Sequence, residues 1–469
     1  MNQSPSNGEG IYPRKRGRLF ASLFSGAGIG DLGYRGAGLQ AVAMCEIEED
    51  RSALSRINFP DSAHLTGDVC EMGSGFVQVV HRTEAVVGSD LFLLSCTAPC
   101  QGMSKSGQGT LLKNIREGKR PVLDPRNALI LPALDIIVEL QPLWIVFENV
   151  IEMRSTSIMD RKGNFRPILD IIAETLGANY VGSAYDVEFA DYGIPQRRQR
   201  LITVFTRDET AKWNFNERWS FIPPASHDRD GRNGKLPWVS VVEALKGFPP
   251  LDASTASLSR SKVVPFHHVP VLDAKKYEWV RHTKAGESAF NNQCINPECM
   301  FQGNPIHGNI SNDGINQSKR DTPLYCVECG SLLPRPYAYT ASGEKRIMSG
   351  FTSAYKRMSA DSPSPALTRN FSYACSDNKV HPHENRVLSL AEAMKLQTIS
   401  DYKYKWGPLM LNGRRAERAS DGLIRLVIGE SVPPSFTEQL ASHLIVMSDP
   451  CTLTAGMVAE RPAMQLSLL

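Results

Sequence analysis

The feature that most constrains the fold of this chain is an alternation of short apolar segments with helical segments from residue 18 to residue 205. Near-continuous apolar segments of this kind are typical of strands buried on both faces of a parallel sheet. Strands are predicted at 18–25, 40–45, 90–95, 143–147, 185–189 and 200–205, and helical patterns at 127–140 and 165–176. The alternation predicts an α/β fold with a parallel, doubly wound sheet.

The sequence changes in character after about residue 207, where Pro, Gly, Ser and Asn become frequent. Helical spacing returns at 389–397, where Ser389 and Glu392 fit a capping box. The length of 469 residues predicts two or three domains. We expect a flexible tail at 1–16, a sheet domain at 17–207, a second, irregular domain at 208–422, a segment at 423–450 that returns to the first domain, and a tail at 451–469.

Composition excludes several classes of protein. With 42% hydrophobic and 22% charged residues, the chain is neither mostly disordered nor a coiled coil. The net charge of +3 conceals a basic bias at 260–370, where 14 Lys and Arg stand against 9 Asp and Glu. The sequence contains no apolar run long enough for a membrane helix and no signal peptide, so we expect a cytoplasmic protein with reduced thiols.

A glycine-rich loop follows the first predicted strand. Gly26, Gly28 and Gly30 stand before a helix, where glycine permits positive φ and lets a ligand approach the backbone. Glu46 ends the next strand, at a place from which a carboxylate accepts hydrogen bonds from ribose hydroxyls. Asp31 occupies the position where a dinucleotide fingerprint has its third glycine. The loop alone leaves a structural turn, S-adenosylmethionine and other nucleotides open.

Cys100 follows the strand predicted at 90–95. Ligands of open parallel sheets bind outside the carboxyl ends of the strands, and a cysteine thiolate is a strong nucleophile. The stretch from Gly102 to Arg120 holds four glycines and five basic residues, so we expect a mobile basic lid that closes on a polyanion. Taken singly, a cysteine is more often a buried structural residue than a nucleophile, so that interpretation of Cys100 stays open.

Six motifs follow one another between residues 24 and 434. They are F-S-G-A-G-I-G (24–30), A-P-C-Q-G-M-S (98–104), E-N-V (148–150), Y-G-I-P-Q-R-R-Q-R-L (192–201), R-V-L-S-L-A-E-A-M-K-L-Q (386–397) and G-E-S-V-P-P (429–434). Together they resemble the DNA cytosine-5 methyltransferase family, and S-P-A-L-T (364–368) also matches. The resemblance implies a Rossmann-like S-adenosylmethionine-dependent methyltransferase domain at 17–207 and a target recognition domain at 208–422.

The resemblance also implies a reaction, the transfer of a methyl group to C5 of a cytosine flipped out of duplex DNA. Cys100 matches the nucleophile that adds to C6, and Glu148 matches the carboxyl group that protonates or hydrogen-bonds N3. Arg200 matches the arginine that holds O2, Arg198 one that supports Cys100 and the pocket, and Ser104 a contact to the flipped nucleotide. From residue type alone, Glu148 could also begin a helix, and the two arginines could form a solvated strand end.

The cofactor site follows from the same resemblance. Phe24 matches the residue that stacks on adenine, Glu46 the one that binds the ribose, and Asp68 the acceptor for the adenine amino group. The expected cofactor-binding residues are Phe24, Gly26, Gly28, Gly30, Glu46, Ile47, Asp68, Val69, Ser431 and Val432. Glu430 stands where the family usually has asparagine, so we expect this one contact to differ.

Four of the ten cysteines form two pairs within 208–422. Cys294 and Cys299 form C-x4-C, and Cys326 and Cys329 form C-x2-C after 26 intervening residues. Four thiolates close the tetrahedral shell of a structural zinc ion, so we predict one Zn²⁺ without a catalytic role. Disulfides are the main alternative, and a histidine could replace one cysteine, with His282 and His307 as the candidates.

The remaining cysteines and one histidine pair carry no assigned role. We expect His267 and His268 to be solvated rather than to contact DNA. Free packing thiols are expected at the unpaired positions, which are Cys45, Cys70, Cys96, Cys375 and Cys451.

The expected partner is double-stranded DNA, with no membrane, and we expect the enzyme to act as a monomer. Cognate restriction or defence-system proteins stay open, as does the recognised DNA sequence. The alternatives are a tRNA-directed methyltransferase of the same fold and a catalytically silent DNA-binding module. The zinc-bearing insertion disfavours the first, and the intact Cys100, Glu148, Arg198 and Arg200 disfavour the second. The missing third glycine disfavours a nicotinamide dehydrogenase.

Overall fold

The first half of the chain folds around one large sheet. The computed structural model describes residues 17–99, 125–216, 220–312, 315–318, 321–348, 353–376, 378–411 and 413–450. Its strands are β1 (Leu19–Leu23), β2 (Gln40–Glu46), β3 (Ala63–Thr66), β4 (Leu91–Cys96), β5 (Trp144–Asn149), β6 (Ser157–Met159), β7 (Phe165–Pro167), β8 (Val181–Glu188), β9 (Gln196–Arg197), β10 (Gln199–Thr206), β11 (His227–Asp228), β12 (Leu236–Pro237), β13 (Asn309–Asn312), β14 (Ile315–Ser318), β15 (Tyr337–Tyr339), β16 (Lys345–Ile347), β17 (Ser364–Pro365), β18 (Leu409–Leu411) and β19 (Arg414–Ala416).

The helices lie mainly in the first half and near the end of the described chain. They are α1 (Asp31–Gly36), α2 (Glu49–Asn58), α3 (Val69–Val87), α4 (Ile130–Leu140), α5 (Ile168–Leu176), α6 (Glu209–Asn216), α7 (Val241–Ala244), α8 (Ala274–Arg281), α9 (Leu390–Leu396), α10 (Asp421–Glu430) and α11 (Pro434–Met447). Among the described residues, no helix has the length and apolar character needed to cross a membrane.

The central sheet has seven strands in the order β3-β2-β1-β4-β5-β10-β8. All are parallel except β10, which runs antiparallel to both of its neighbours. A short connection joins β8 to β10, and a connection of that length permits only an antiparallel pair. The predicted α/β sheet is therefore confirmed, with one reversed strand that the apolar pattern did not reveal.

Several element boundaries differ from the sequence predictions. The helix predicted at 127–140 begins as a 3-10 turn over Pro125–Leu129 before α4. The helix predicted at 165–176 starts with the short strand β7, because Pro167 stands at the N-cap position and α5 begins after it. The capping box is confirmed, since Ser389 Oγ accepts from the Glu392 N–H and the Glu392 side chain accepts from the Ser389 N–H.

Helices cover both faces of the sheet. On one face α3, α4 and α5 bury residues such as Phe76, Ile137 and Ile172. On the other face α1 packs against α11, the closing helix, and Phe436 and Leu440 are fully buried there. The contact is close because α1 has a glycine at position 33, where a Cβ atom would lie 2.1 Å from the Pro434 carbonyl oxygen. The end of the described chain thus returns to the first helix.

Two further large cores, among the described residues, lie outside the sheet. One joins Leu54 of α2 and Ile29 of the glycine loop to Leu396 and Ile424 of α9 and α10. The other surrounds Trp279 and consists of residues between 251 and 387. The segment around α9 and α10 therefore packs directly on the glycine-loop side of the sheet.

Candidate active site

An ion pair stands at the edge of the sheet where β5 ends. Arg200 Nε lies 2.9 Å from Glu148 Oε1, and the two side chains are only 17% and 14% exposed. Ile202 of β10 is the register partner of Glu148 on β5. Because β10 runs antiparallel, its first residues reach the edge at which the parallel strands end. The reversed strand thus delivers Arg200 to the ligand-binding edge of the sheet.

The loop that leads to Cys100 is held from two sides. Asn149 Nδ2 donates to the Ala98 carbonyl at 3.1 Å, and Thr97 Oγ1 donates to the Phe24 carbonyl at 2.8 Å. Sequence reasoning missed both residues, although Asn149 directly follows the predicted Glu148. The predicted nucleophile Cys100, Ser104 and the lid predicted from Gly102 to Arg120 lie outside the described residues.

Arg198 is buried and faces different partners from Arg200. Its backbone N–H donates to Glu188 Oε1 at 2.7 Å, and its Nη1 donates to the Leu367 carbonyl at 3.0 Å. Burial raises the pKa of Glu188 above its usual range. Leu367 belongs to the S-P-A-L-T motif, so this motif directly supports the arginine segment.

Glu46 fixes the glycine loop from the neighbouring strand. Its Oε2 accepts from the Gly26 N–H at 2.9 Å, and its Oε1 accepts from the Glu48 N–H at 2.9 Å. Gly28 has a φ of +72°, and Phe24 adopts +58°, a conformation uncommon for a bulky residue. The loop is therefore a strained turn at the end of β1 that hydrogen bonds to Glu46 hold in place.

Asp31 follows this loop as the first residue of α1 and is almost completely buried. Burial raises the pKa of its carboxyl group to about 7, against the opposing effect of a hydrogen bond with the Ser22 side chain. Nearby, the Tyr34 hydroxyl donates to Ser95 Oγ at 3.4 Å. The residue that replaces the third glycine is thus a buried acid with a hydrogen-bond partner.

The other predicted cofactor residues lie on β2, α3 and the segment before α11. Asp68 caps α3 by accepting from the Cys70 N–H at 2.8 Å, and Val69 is buried behind it. Ile47, by contrast, is 60% exposed. Val432 packs against the first loop, since a Cβ atom at Gly30 would lie 3.5 Å from the Val432 Cβ. The structure therefore brings the first and last motifs together.

Glu430 has a partner that sequence reasoning missed. Arg51 Nη2 lies 3.0 Å and 3.2 Å from the two Glu430 carboxylate oxygens, and Arg51 Nη1 lies 3.6 Å from Glu46 Oε1. Burial raises the pKa of Glu430, and the positive charge of Arg51 opposes that shift. The carboxylate that replaces the family's asparagine is therefore part of an ion-pair network.

Comparison with known proteins agrees with this geometry. The sequence model of the family described as C-5 cytosine-specific DNA methylase matches residues 19–445. The chain belongs to this family. The methylase is 25% identical over 440 residues to the type II methyltransferase M1.HgaI of Avibacterium volantium, covering 92% of this chain and 99% of that protein. It is 31% identical over 427 residues to the type II methyltransferase M.XorII of Xanthomonas oryzae pv. oryzae, covering 90% of this chain and 83% of that protein.

A solved structure shares the fold of the methylase. It is the crystal structure of a protein described as a prophage-encoded DNA modification methyltransferase (E. coli), with a TM-score of 0.52 and 18% identity over 92% of this chain and 99% of that one. The prediction of a DNA cytosine-5 methyltransferase that uses S-adenosylmethionine is confirmed by the family.

The four predicted zinc-binding cysteines of the methylase converge. Their sulfur atoms all lie within 4.8 Å of one another, with 3.6 Å from Cys294 to Cys329 and 3.9 Å from Cys299 to Cys326. A disulfide joins sulfurs at about 2.05 Å, so these are free thiols. In a tetrahedral zinc site with bonds of about 2.3 Å, neighbouring sulfurs are about 3.8 Å apart, which fits the observed spacing.

Neither candidate histidine belongs to this cluster. His307 Nδ1 lies 2.6 Å from Thr322 Oγ1, and its ring stacks on Phe290. His282 Nε2 lies 3.0 Å from a Glu278 carboxylate oxygen. The four-cysteine set is thus the arrangement the structure supports.

Two predictions about the remaining residues are wrong. His267 is buried rather than solvated, with its two ring nitrogens 2.8 Å from Ser389 Oγ and the Pro249 carbonyl. Its neighbour His268 lies 2.6 Å from an Asp421 oxygen. Cys70 and Cys375 are exposed, so of the described unpaired cysteines only Cys45 and Cys96 are packing thiols. Residue type and spacing do not report burial, which long-range packing decides.

Proposed function

We propose that this chain methylates cytosine in duplex DNA through a covalent bond between Cys100 and C6 of a flipped-out base. The observation that carries the proposal is the ion pair of Glu148 and Arg200, at 2.9 Å on the ligand-binding edge of the sheet. In cytosine, N3 neighbours the ring carbon that carries O2. A carboxyl group beside a guanidinium can therefore bind N3 and O2 at the same time.

The reaction divides between these side chains as follows. Cys100 adds to C6 as a thiolate while Glu148 donates a proton or hydrogen bond to N3, and the electron pair of the C5–C6 bond becomes available at C5. Arg200 holds O2, and Arg198 supports the pocket from its buried position. When bound, S-adenosylmethionine supplies the methyl group that C5 accepts. Loss of the C5 proton to a base, expulsion of the Cys100 thiolate from C6 and return of the N3 proton to Glu148 restore the aromatic ring.

We propose the cofactor-binding roles from the match of these residues to the family's motifs. Phe24 stacks on the adenine and Glu46 binds the ribose, with Ile47 beside it. Asp68 and Val69 bind the adenine edge, while Ser431 and Val432 close the site from the end of the chain. The positive φ of Phe24, Gly26 and Gly28 supports this proposal, because such a turn leaves backbone accessible to a ligand.

The direct test is methyl transfer from tritiated S-adenosylmethionine to duplex DNA. We expect label in DNA with the native chain and none with Cys100→Ala, because the variant lacks the proposed nucleophile. Cys375→Ala, a change at an exposed free thiol, should transfer label normally. Label on a structured RNA and on no DNA would refute the proposal in favour of a tRNA-directed enzyme.

The biological partner is proposed from the relatives. Both curated relatives described above are type II methyltransferases, so we propose that this chain protects DNA at a short sequence from a cognate restriction endonuclease. Bisulfite sequencing of DNA from cells that express the chain should reveal one methylated sequence. Methylation without sequence preference would contradict this role. We propose that the chain acts as a monomer on DNA.

We propose that Cys294, Cys299, Cys326 and Cys329 bind one structural zinc ion. Bound metal would fix a segment rich in Asn, Gly and Ser that lacks a large core of its own. Elemental analysis should give about one zinc per chain, as one tetrahedral site with four thiolate ligands requires. A Cys326→Ser, Cys329→Ser double variant should lose the metal, and Cys375→Ser should retain it. Full metal content in the double variant would overturn the ligand assignment.

The proposed division of the chain is a catalytic domain at 17–207, a target recognition domain at 208–422 and a return segment at 423–450. The core around Trp279, which uses only residues between 251 and 387, supports a separate recognition unit. The packing of α11 on α1 supports the return of the last segment to the catalytic domain.

A further inference from the structure

Two fully buried glutamines connect the segment of the catalytic arginines with the last cofactor motif. Gln196 begins β9, and Gln397 is the C-cap residue that follows α9; both are 0% exposed. Gln196 Nε2 donates to Gln397 Oε1 at 2.6 Å, across 201 residues of sequence. Buried amides of this kind are costly unless their polar atoms are satisfied, so their partners are informative.

Gln397 continues the connection to the cofactor motif. Its Nε2 donates to the Ser431 carbonyl at 2.7 Å and to Ser431 Oγ at 2.9 Å, and Ser431 Oγ donates to the Ile428 carbonyl at 3.0 Å. Rotating the Gln397 amide by half a turn would put its oxygen against a carbonyl and its NH₂ group against the Gln196 NH₂ group. The hydrogen bonds therefore permit one orientation.

Gln196 continues the connection toward the arginines. Its Oε1 accepts from the Leu367 N–H at 2.9 Å, and the Leu367 carbonyl accepts from Arg198 Nη1 at 3.0 Å. The short pairing of β17 with β9 holds Leu367 in this place. A continuous series of hydrogen bonds thus runs from Arg198 through Leu367, Gln196 and Gln397 to Ser431. We call it the glutamine relay.

The relay joins the cofactor site to the target-base pocket. The inference below rests on the proposed function, which requires both sites. We propose that the glutamine relay couples cofactor binding to the target-base pocket, with Gln397 as a positioning residue that contacts neither ligand. A ligand that fixes Ser431 fixes the Gln397 amide, which fixes Gln196 and the carbonyl that holds Arg198. Buried amides that bind one another in a close-packed interior transmit a displacement instead of absorbing it.

Coupling between two binding sites is reciprocal and can be measured without turnover. The ligands are S-adenosylhomocysteine, which donates no methyl group, and a duplex that carries the sequence found by bisulfite sequencing. For the native chain, we expect the dissociation constant of S-adenosylhomocysteine to fall about 5- to 150-fold when the duplex is bound. In Gln397→Glu this ratio should approach 1, because a carboxylate cannot donate to Ser431.

The matched control is Gln78→Glu, the same change on the exposed face of α3, which should keep the native ratio. Gln397→Met, which has a similar size and no hydrogen-bonding amide, tests the coupling again if the glutamate variant fails to fold by circular dichroism. A native ratio of 1 would overturn the proposal. Weaker cofactor binding with an unchanged ratio would also overturn it, since Gln397 would then only support Ser431. Absence of methyl transfer by the native chain would instead refute the proposed function.

Discussion

The free energy of unfolding of the native chain should fall as the pH rises toward 7, and Asp31→Asn should abolish this fall. The Asp31 carboxyl is 4% exposed at the start of α1. Burial disfavours its ionised form and raises its pKa from 3.8 to about 7, while the hydrogen bond with Ser22 opposes the shift. The folded chain therefore holds a proton at this site over a pH range in which the unfolded chain has lost it.

The sign and size of the effect follow from this difference. A raised pKa in the folded state gives a stabilising contribution that is complete below pH 3.8 and is lost as the pH rises to about 7. Within that range the free energy of unfolding falls by about 1.4 kcal/mol for each pH unit. Between pH 5 and pH 7 the loss is about 2 kcal/mol, because the folded group is half ionised at the upper limit.

The assay is urea unfolding of the native chain and of Asp31→Asn at pH 5, 6 and 7, followed by circular dichroism. The variant has no titrating group at this position, so it should gain about 2 kcal/mol relative to the native chain over this interval. Ser22→Ala removes the hydrogen bond that favours ionisation, so it should raise the pKa of Asp31 and extend the loss above pH 7. Parallel pH profiles for the native chain and Asp31→Asn would refute the reasoning.

Three further predictions concern packing, a buried charge and the active site. Gly33→Ala should destabilise the chain by about 3 kcal/mol or more, since its Cβ would lie 2.1 Å from a backbone carbonyl of α11. The control Gly422→Ala, with no neighbouring atom nearer than 3.7 Å, should leave the stability unchanged or raise it. Thermal unfolding measures both variants. Arg386→Met should cost about 3–5 kcal/mol in urea unfolding, because it leaves the fully buried Glu392 carboxylate without its partners at 2.7 Å. Arg200→Lys should keep the fold but lower kcat for methyl transfer by about 10²-fold or more, since an ammonium cannot reproduce a planar guanidinium that pairs with Glu148 through Nε. Unchanged stability of the first two variants, or unchanged kcat of the third, would contradict these assignments.

The sequence predicted the features that depend on neighbouring residues, which are the buried strands and a helix cap. The apolar alternation predicted six of the seven strands of the sheet and missed the edge strand β3, whose four residues are only partly buried. The spacing of Ser389 and Glu392 predicted a cap that depends only on neighbouring residues. The reversed direction of β10 was not predicted, because a strand buried on both faces has the same apolar pattern in either direction. The family resemblance, and not periodicity, assigned Arg200 and Glu148 to the same target base, and their contact was found only in the structure.

Contacts between distant residues explain what the sequence did not predict. Arg51 and Glu430 are 379 residues apart, and no spacing rule joins them. His267 was assigned to solvent from its polar type, yet Ser389 and Pro249 offer it hydrogen bonds inside the fold. The convergence of Cys294, Cys299, Cys326 and Cys329 was predictable because each pair of cysteines is local and the chemistry of four thiolates restricts how the pairs combine.

The glycine loop depends on residues far beyond the catalytic strands. The Tyr404 hydroxyl donates to the Ala27 carbonyl at 2.8 Å, inside the loop itself. Asn58 Nδ2 donates to the Lys405 carbonyl at 2.9 Å, and the Lys405 N–H donates to Asn58 Oδ1 at 2.7 Å. These partners follow a long segment of the chain, 208–385, and Tyr404 returns from it to the loop. Tyr404 and Lys405 hold the chain after this segment at the glycine loop and at α2, so the geometry of the loop depends on residues from both halves of the chain.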